Sequence, residues 1–206
     1  MTYINNFLMS ILDFFYNISG NYGVALILFT VLVKLVLYPL THQQFKALKE
    51  QQRIQPELTK IREKYKDDPE KLNKEMIELY QRHKINPMGG CLPLLIQFPI
   101  LAILYSAISA YSSKFANANF LWIKSLAAPD LPLLIIYGIS MVLSSLFSSP
   151  ISEDPSQRTS QLFMGIGLPL VFTIMFRNFP SAFILYWFVF NVLSTIQQIY
   201  VMRTVK

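Results

Sequence analysis

Long apolar runs alternate with short polar segments along most of this chain. An apolar helix of about 20 residues is long enough to cross the hydrocarbon core of a bilayer, which is roughly 30 Å thick. Several runs approach or reach that length, and Lys34 is the one charged residue that they contain. The pattern therefore predicts five membrane-spanning helices, at residues 22–40, 91–111, 131–149, 161–176 and 181–202.

The first 19 residues have a different pattern. Apolar residues recur there at helical spacing, with asparagines and Asp13 between them. No Lys or Arg occurs before Lys34, so the basic start of a signal peptide is missing. We interpret residues 1–19 as an amphipathic helix lying in the membrane interface. A sixth span is the alternative, and Asp13 argues against it. The predicted apolar face consists of Ile4, Phe7, Leu8, Ile11, Leu12 and Phe15.

The charged residues are few and concentrated in one segment. The 206-residue chain is 53% hydrophobic and 15% charged, with a net charge of +6 and a mean hydropathy of +0.38. Nineteen of the 30 charged residues lie at 41–88, and Cys91 is the single cysteine. These numbers exclude a water-soluble domain, a disordered chain and a disulfide-stabilised scaffold. The remaining class is an all-α polytopic membrane protein.

The charged segment 41–88 predicts a helical hairpin between the first two spans. Asp67-Asp68-Pro69 provides the turn, with Asp68 as N-cap and Pro69 at the first helical position. Alternating charges are typical of solvated helix faces. The alternative is that the charged residues form a docking surface for a cytosolic partner. The net charge of this segment favours RNA only weakly, so no specific nucleic acid is predicted. The candidate docking residues are Arg53, Arg62, Lys64 and Arg82.

The distribution of basic residues predicts the orientation of the chain. With the N-terminus outside, the inner segments hold fourteen Lys and Arg residues and the outer segments hold three. Inner segments of membrane proteins carry the excess of positive charge. We therefore expect the N-terminus outside and the C-terminus in the cytoplasm.

Motifs for catalysis are missing from the sequence. His42 and His83 lie at opposite ends of the hairpin, without the spacing of a zinc site. The spans contain no carboxylate for a protease dyad or a proton relay, which argues against a proton-coupled transporter. The sequence thus predicts a protein that is not an enzyme, with no catalytic residue, no metal site and no cofactor.

Lys34 is the polar residue that most needs an explanation. It lies about 18 Å from the outer end and about 9 Å from the inner end of its helix at 1.5 Å per residue. Lysine at a helix centre costs about 2.5–3.5 kcal/mol on insertion scales. Its side chain either extends to the inner surface or faces a water-filled recess. Gln97 and Asn191 on two other spans favour the recess, and Thr30 lies on the same helix face as Lys34.

Three stretches resemble the YidC/Oxa/Alb family of membrane-protein insertases. NPMGGCLPLLIQFP at 86–99 resembles the entry to that family's second core helix. Residues 22–41, with Lys34 followed by a Tyr-Pro-Leu-Thr end, resemble its first core helix. Residues 179–198, with Trp187 and Asn191, are similar to its last. The match is collinear over nearly the whole chain.

This resemblance implies a bacterial inner-membrane insertase and chaperone with a hydrated groove that opens to the cytoplasm. Lys34 occupies the position of the family's basic groove residue, and Thr30 matches a groove position one turn earlier. Gln97 and Trp187 match groove positions on the second and fifth spans, and Asn191 follows Trp187 by one turn. The polar end of a nascent membrane protein would enter the groove. Its apolar segment would slide along a greasy face formed where spans three and five pack side by side.

The chain also departs from the family pattern. The basic residue is usually Arg, which keeps its proton when desolvated more firmly than Lys. Serines within 144–149 replace a glutamine often found on the third core helix, and 202–206 is too short for a basic ribosome-binding tail. We expect a minimal form without a large outer domain. Besides nascent membrane proteins and the lipid bilayer, the implied candidate partners are a Sec-type translocon, the ribosome and the signal-recognition-particle receptor.

Two other classes of function stay open. A small channel or transporter would use Lys34 to line a pore, and its recess would have to reach the outer surface. A structural assembly subunit would use the hairpin only to dock a partner.

Overall fold

The computed structural model describes residues 2–83, 85, 92–148 and 155–204. These residues are mainly helical, as the apolar pattern predicts. The helices are α1 (Thr2–Ser19), α2 (Tyr22–Lys64), α3 (Pro69–Arg82), α4 (Leu92–Ala110), α5 (Ser112–Ala116), α6 (Leu131–Ser148), α7 (Pro155–Leu162), α8 (Leu168–Met175) and α9 (Ser181–Thr204), with a π-helical turn at Phe163–Gly167 and a 3₁₀ turn at Phe176–Asn178.

Four helical stretches are long and apolar enough to cross a membrane, which bears out the polytopic all-α fold. They are Tyr22–Arg53, Leu131–Ser148, Arg158–Asn178 and Ser181–Thr204. The second predicted span coincides with α4, Leu92–Ala110, and its fully described part, Gln97–Ala110, is shorter than those four stretches. The count of five spans therefore stays a prediction. The first five residues of the NPMGGC motif and Cys91 lie outside the described residues.

Helix α2 runs without a break from the first span into the hairpin. It has 43 residues, which corresponds to a length of about 64 Å. The Asn21 side chain caps its start by accepting hydrogen bonds from the backbone N–H groups of Gly23 and Val24. The expected boundary at residue 41 is absent, although Pro39 lies just before it. The first span and the first arm of the hairpin are therefore one rod.

The hairpin turns where the sequence predicts it. The Asp68 carboxylate accepts a hydrogen bond from the Lys71 backbone N–H at 3.1 Å, and Pro69 begins α3. This N-cap satisfies one of the free N–H groups at the start of α3. The two arms pack through a small buried cluster separate from the main core, consisting of Ile54, Leu58, Leu79 and Ile85.

Helix α1 packs on α2 and α4 through part of its predicted apolar face. Leu8 and Leu12 are buried as part of the main core. Asn5 is buried as well and donates a hydrogen bond to Ser106 Oγ on α4 at 2.9 Å. Ile4 and Phe7, which belong to the predicted apolar face, are 47% and 68% exposed. The predicted apolar face is thus divided between residues that pack on the helix bundle and residues that stay exposed on the protein surface.

An ion pair fastens α1 next to the start of α2. Lys114 Nζ on α5 lies 2.6 Å from the Asp13 carboxylate, and the Tyr22 hydroxyl donates to the same carboxylate at 2.9 Å. The hydrogen bond to Asp13 raises the pKa of Lys114. Three helices, α1, α2 and α5, thus converge on one carboxylate.

The loop between α5 and α6 covers the start of α9. The backbone N–H groups of Ser181 and Ala182 donate to the carbonyl groups of Ala128 and Leu126 at 2.8 and 2.9 Å. These are N–H groups that a helix cannot satisfy within its own first turn. Leu126 and Ile123 in this loop are buried at 0% and 2% exposure. The loop therefore closes this end of the helix bundle.

The fourth predicted span is longer than expected. Its apolar run starts at residue 161, but the helical segment already begins with α7 at Pro155 and continues through the π-helical turn into α8. Helix α8 packs closely on α6 because Gly138 lacks a side chain. A Cβ atom at Gly138 would lie 2.8 Å from Thr173 Oγ1.

Helix α9 contacts both α2 and α6 and places Ala182, Phe183, Ile184, Leu185 and Tyr186 in the core.

Gly23 provides a test of the packing at the outer end of α2. A Cβ atom there would lie 2.2 Å from the Phe120 ring. We expect Gly23→Ala to lower the thermal unfolding temperature of the detergent-solubilised protein, because overpacking costs about 1–3 kcal/mol. Gly165→Ala is the matched control, since its Cβ would lie 3.6 Å from Ser145 Oγ. Equal destabilisation by the two variants would contradict this packing.

Candidate functional site

The ammonium group of Lys34 is held between α2 and α9. Its Nζ donates a hydrogen bond to Ser194 Oγ at 2.8 Å. It also lies 4.9 Å from the centre of the Phe190 ring and 5.7 Å from that of Phe45. The Lys34 residue is only 6% exposed. Among the described residues, no carboxylate lies within 4 Å of Nζ, so its partners there are electrically neutral.

A cavity of about 270 Å³ adjoins this ammonium group. We call it the polar cavity, since side chains with hydroxyl and amide groups line it beside the lysine. Helices α2, α4, α6 and α9 all contribute. Its lining residues are Lys34, Leu37, Leu40, Thr41, Gln44, Phe45, Gln97, Ser144, Trp187, Phe190, Ser194 and Gln198. The α2 residues continue from Lys34 towards the hairpin, so the cavity extends in that direction.

A second cavity, of about 480 Å³, meets the polar cavity at Gln97 and Trp187, which line both. We call it the apolar cavity, because aliphatic and aromatic side chains dominate its lining. It lies between α4 on one side and α6 and α8 on the other, with α9 behind. Spans three and five, which are α6 and α9, contact each other and both contribute to this lining. The other lining residues are Phe98, Leu101, Ala102, Tyr105, Tyr137, Met141, Phe172, Met175, Phe176, Phe179 and Phe183.

The predicted groove residues are only partly brought together. Lys34, Gln97 and Trp187 line the polar cavity. Thr30 is fully buried one turn away, where its hydroxyl donates to its own helix at Leu26 O, and it lines neither cavity. Asn191 also lies outside both linings. Within the described part of the chain, the buried Trp187 Nε1 and Asn191 Oδ1 have no protein hydrogen-bond partner.

Three α2 residues that line the polar cavity, Thr41, Gln44 and Phe45, lie beyond the predicted end of the first span. Thr41 and Phe45 follow Lys34 by seven and eleven residues, which places them on the same face of a helix. That spacing was available as a signal. Because the predicted span ends at residue 40, the sequence pattern places these side chains in the hairpin instead.

Amide side chains of α9 join it to its neighbours on either side. The Thr41 hydroxyl donates to Gln197 Oε1 at 2.9 Å, and the Gln197 amide donates to Tyr38 O at 3.3 Å. On the opposite side, the Gln198 side chain is hydrogen-bonded to Ser148 Oγ at 2.9 Å. The resemblance implies a glutamine near the end of the third span, where this chain has serines. The Gln198 side chain of α9 supplies an amide group at that place.

Two contacts join the first arm of the hairpin to the ends of α6 and α9. Lys49 Nζ donates to the backbone carbonyl of Met202 at 2.6 Å. The Gln52 amide donates to the backbone carbonyl of Ser148. Both acceptors lie in the last turn of a helix, where carbonyl groups lack partners within the helix and carry partial negative charge. The start of the hairpin is therefore fixed to the helix bundle.

The candidate docking residues of the hairpin lie on both arms. Arg53, Lys64 and Arg82 are exposed, and Arg62 is half-buried. Arg82 is 4.0 Å from the Glu75 carboxylate. An exposed pair at that distance contributes little to stability, so the guanidinium remains accessible to another molecule.

The described residues offer no cluster of three His, Cys, Asp or Glu side chains that could hold a metal ion. His83 Nε2 lies 3.5 Å from the Glu57 carboxylate on the neighbouring arm. His42 stacks on Tyr38 with ring centres 5.9 Å apart. Each histidine thus has a structural contact, and the two are not brought together.

The helices and the polar cavity define a polytopic α-helical membrane protein with a positively charged recess between its spans. Residues 14–206 match the family described as "60Kd inner membrane protein". The chain therefore belongs to this family of multi-pass inner-membrane proteins, which confirms the resemblance to YidC that the sequence motifs indicate.

Several relatives are similar over almost the whole chain. "Membrane protein insertase YidC" of Geobacter sulfurreducens is 48% identical over 97% of this chain and 37% of the relative. The protein of the same name from Nitratidesulfovibrio vulgaris (strain DP4) is 41% identical over 95% of this chain and 38% of the relative. The chain thus spans less than half the length of these relatives.

A solved structure is similar in fold as well. It is described as "Active YidC insertase crystal structure with the first transmembrane domain resolved". The TM-score is 0.75 at 30% sequence identity, covering 95% of this chain and 45% of the other. The arrangement of helices around the two cavities thus belongs to a fold shared with that insertase.

The hydrogen bond between Thr41 and Gln197 provides a test of the contact between α2 and α9. Thr41→Val leaves the Gln197 amide oxygen, in a residue that is 6% exposed, without its donor. We expect a loss of about 1–3 kcal/mol in stability, which is the cost of an unsatisfied buried polar group. Thermal unfolding in detergent measures it. Thr41→Ser should retain most of the stability, and Thr204→Val, at an exposed position, is the control. A Thr41→Val protein as stable as Thr41→Ser would refute the assignment.

Proposed function

We propose that this chain is a membrane-protein insertase and chaperone that works without enzymatic chemistry. The observation that carries the proposal is the buried Lys34 ammonium beside the polar cavity, with neutral partners among the described residues. An uncompensated positive charge in a membrane helix is costly, so its retention favours a role in attracting negative groups. The relatives named as insertases support the same function.

A groove closed on the outer side is favoured by the packing around α2. Ala25, Leu26, Phe29 and Thr30, which precede Lys34 on α2, are at most 5% exposed. The loop between α5 and α6 covers the bundle beyond them. The polar cavity extends the other way, along α2 towards the hairpin. We propose that this direction is cytoplasmic, with the N-terminus outside and the C-terminus inside.

Water and a substrate's polar tail would share the polar cavity. The Trp187 indole N–H lacks a protein partner among the described residues, and a buried donor of this kind is stabilised when water or a ligand accepts from it. Lys34 would attract an acidic residue of the tail, since charge interactions are stronger inside a low-dielectric groove than in bulk water. Gln97 and Trp187 lie where the tail would pass into the apolar cavity.

The apolar cavity would receive the first residues of the substrate's membrane span. Spans three and five (α6 and α9) both line this cavity, which supports a greasy face where these two spans pack side by side, with α4 and α8 also contributing. Burial of apolar surface contributes about 25 cal/mol per Å², so the transfer of a complete span into lipid is strongly favourable. The insertase needs only to lower the barrier for its polar end.

Helix α1 and the hairpin would contact the surroundings on opposite sides. We propose that α1 lies at the outer membrane interface, where its exposed Phe7, Phe14 and Ile18 would contact lipid. The hairpin would dock cytosolic partners through Arg53, Arg62, Lys64 and Arg82. A Sec-type translocon, the ribosome and the signal-recognition-particle receptor are the candidates.

Charge reversal at Lys34 tests the electrostatic part of the proposal. We expect Lys34→Glu to abolish insertion of substrates with acidic outer tails, because the groove would then repel them, whereas Lys34→Arg should insert them at a similar rate. Protease protection of the tail in proteoliposomes measures insertion. Lys74→Glu, an exposed charge reversal on the hairpin, is the matched control. Normal insertion by Lys34→Glu would show that the charge has no role.

Cysteine accessibility separates the groove from a channel. Lys34 also borders a cavity of about 380 Å³ between α2 and α9, so a continuous pore is the alternative that needs testing. In a Cys91→Ser background, we expect cysteines at Ser144 and Ser194 to react with a membrane-impermeant maleimide added from the hairpin side. Cysteines along 23–30 should stay protected from outside. Deep labelling of 23–30 from outside would favour the channel.

A further inference from the structure

We infer that Phe190 and Ser194 are positioning residues that hold the Lys34 ammonium inside the polar cavity and so set a preference for substrates with acidic tails. This inference rests on the proposed insertase function and deepens it. It concerns residues that the sequence motifs did not assign to the groove.

The geometry around Nζ is that of a small cage. Ser194 Oγ accepts its hydrogen bond at 2.8 Å, and the ring centres of Phe190 and Phe45 lie 4.9 and 5.7 Å away. Phe190 and Ser194 are four residues apart on α9 and share one face. Phe190 also stacks on the fully buried Tyr186, with ring centres 5.9 Å apart. The nearer ring is therefore fixed in place by the core.

The cage stabilises the charge without neutralising it. An aromatic face attracts a cation through its quadrupole and contributes no negative charge. A carboxylate in the same place would form an ion pair with Lys34 and would repel an acidic tail. An ammonium group has three N–H donors, of which Ser194 accepts one. The others stay available to a carboxylate that enters the cavity.

Without the cage, the ammonium group has an alternative position. The flexible stem of a lysine can carry its charge towards the membrane surface, and the inner end of the predicted span is only about 9 Å from Lys34. In that position the charge would be hydrated and screened, and its attraction for a tail inside the cavity would be weaker. Neutral tails would be inserted as before.

The experiment compares two substrates that differ only in an acidic or a neutral tail. We expect Phe190→Leu to lower the ratio of acidic-tail to neutral-tail insertion about threefold to tenfold, which corresponds to one cation–π contact. Phe190→Trp should restore the ratio because it retains an aromatic face. Phe188→Leu, which removes a neighbouring ring of α9, is the matched control. In a Lys34→Gln background, Phe190→Leu should leave the ratio unchanged.

Two results would overturn the inference. An unchanged ratio in Phe190→Leu would show that the ring does not act through Lys34. An equal loss with both substrates, matched by Phe188→Leu, would show that the ring only supports the core.

A second measurement tests the cage independently of insertion. Lys34 in proteoliposomes is acylated with a water-soluble amine reagent, and its modification is followed by peptide mass spectrometry. We expect Phe190→Leu and Ser194→Ala to raise the rate several-fold, and Phe188→Leu to leave it unchanged. A rate equal to wild type in both cage variants would refute the cage even if insertion is normal. If the wild-type protein inserts neither substrate, the proposed function fails, while the acylation rates still decide the cage.

Discussion

The structure depends on how a membrane protein stabilises one positive charge among its spans. A lysine at this depth must have water, a counter-charge or neutral partners, and here its partners come from two helices at once. Ser194 and Phe190 lie on α9, and Phe45 lies on α2. The contact between α2 and α9 is therefore polar at Lys34 and further along, where the Thr41 hydroxyl donates to Gln197. The remaining helices pack around α2 and α9.

Much of the fold could be predicted because its signals are local. Apolar runs identify the spans through their length, and Asp68 with Pro69 marks the start of α3 because N-capping is decided within a few residues. Lys34 could be identified from the sequence because it is a single charged residue within an apolar run, which is also a local signal. Gln97 and Trp187 were predicted as groove residues from the resemblance, and the structure places both in the polar cavity.

The features that were missed depend on packing between distant segments. The sequence around Pro39 predicts an end to the first span, yet α2 continues, and Thr41, Gln44 and Phe45 reach the polar cavity as a result. A helical pattern shows which residues share a face but not which helix that face contacts. For that reason, the part of the α1 apolar face that is buried and the contribution of α4 and α8 to the apolar cavity could not be deduced from periodicity.

The neutral cage also gives a physical reason for lysine at the position where the family resemblance implies an arginine. A guanidinium has five N–H donors in a rigid fork, whereas an ammonium is compact and has three. The cage offers one hydroxyl oxygen and two aromatic faces, which leaves fewer unsatisfied donors on a lysine than on an arginine. A lysine can therefore stay in the polar cavity with less water around it, and the charge stays available to the next anionic group that enters.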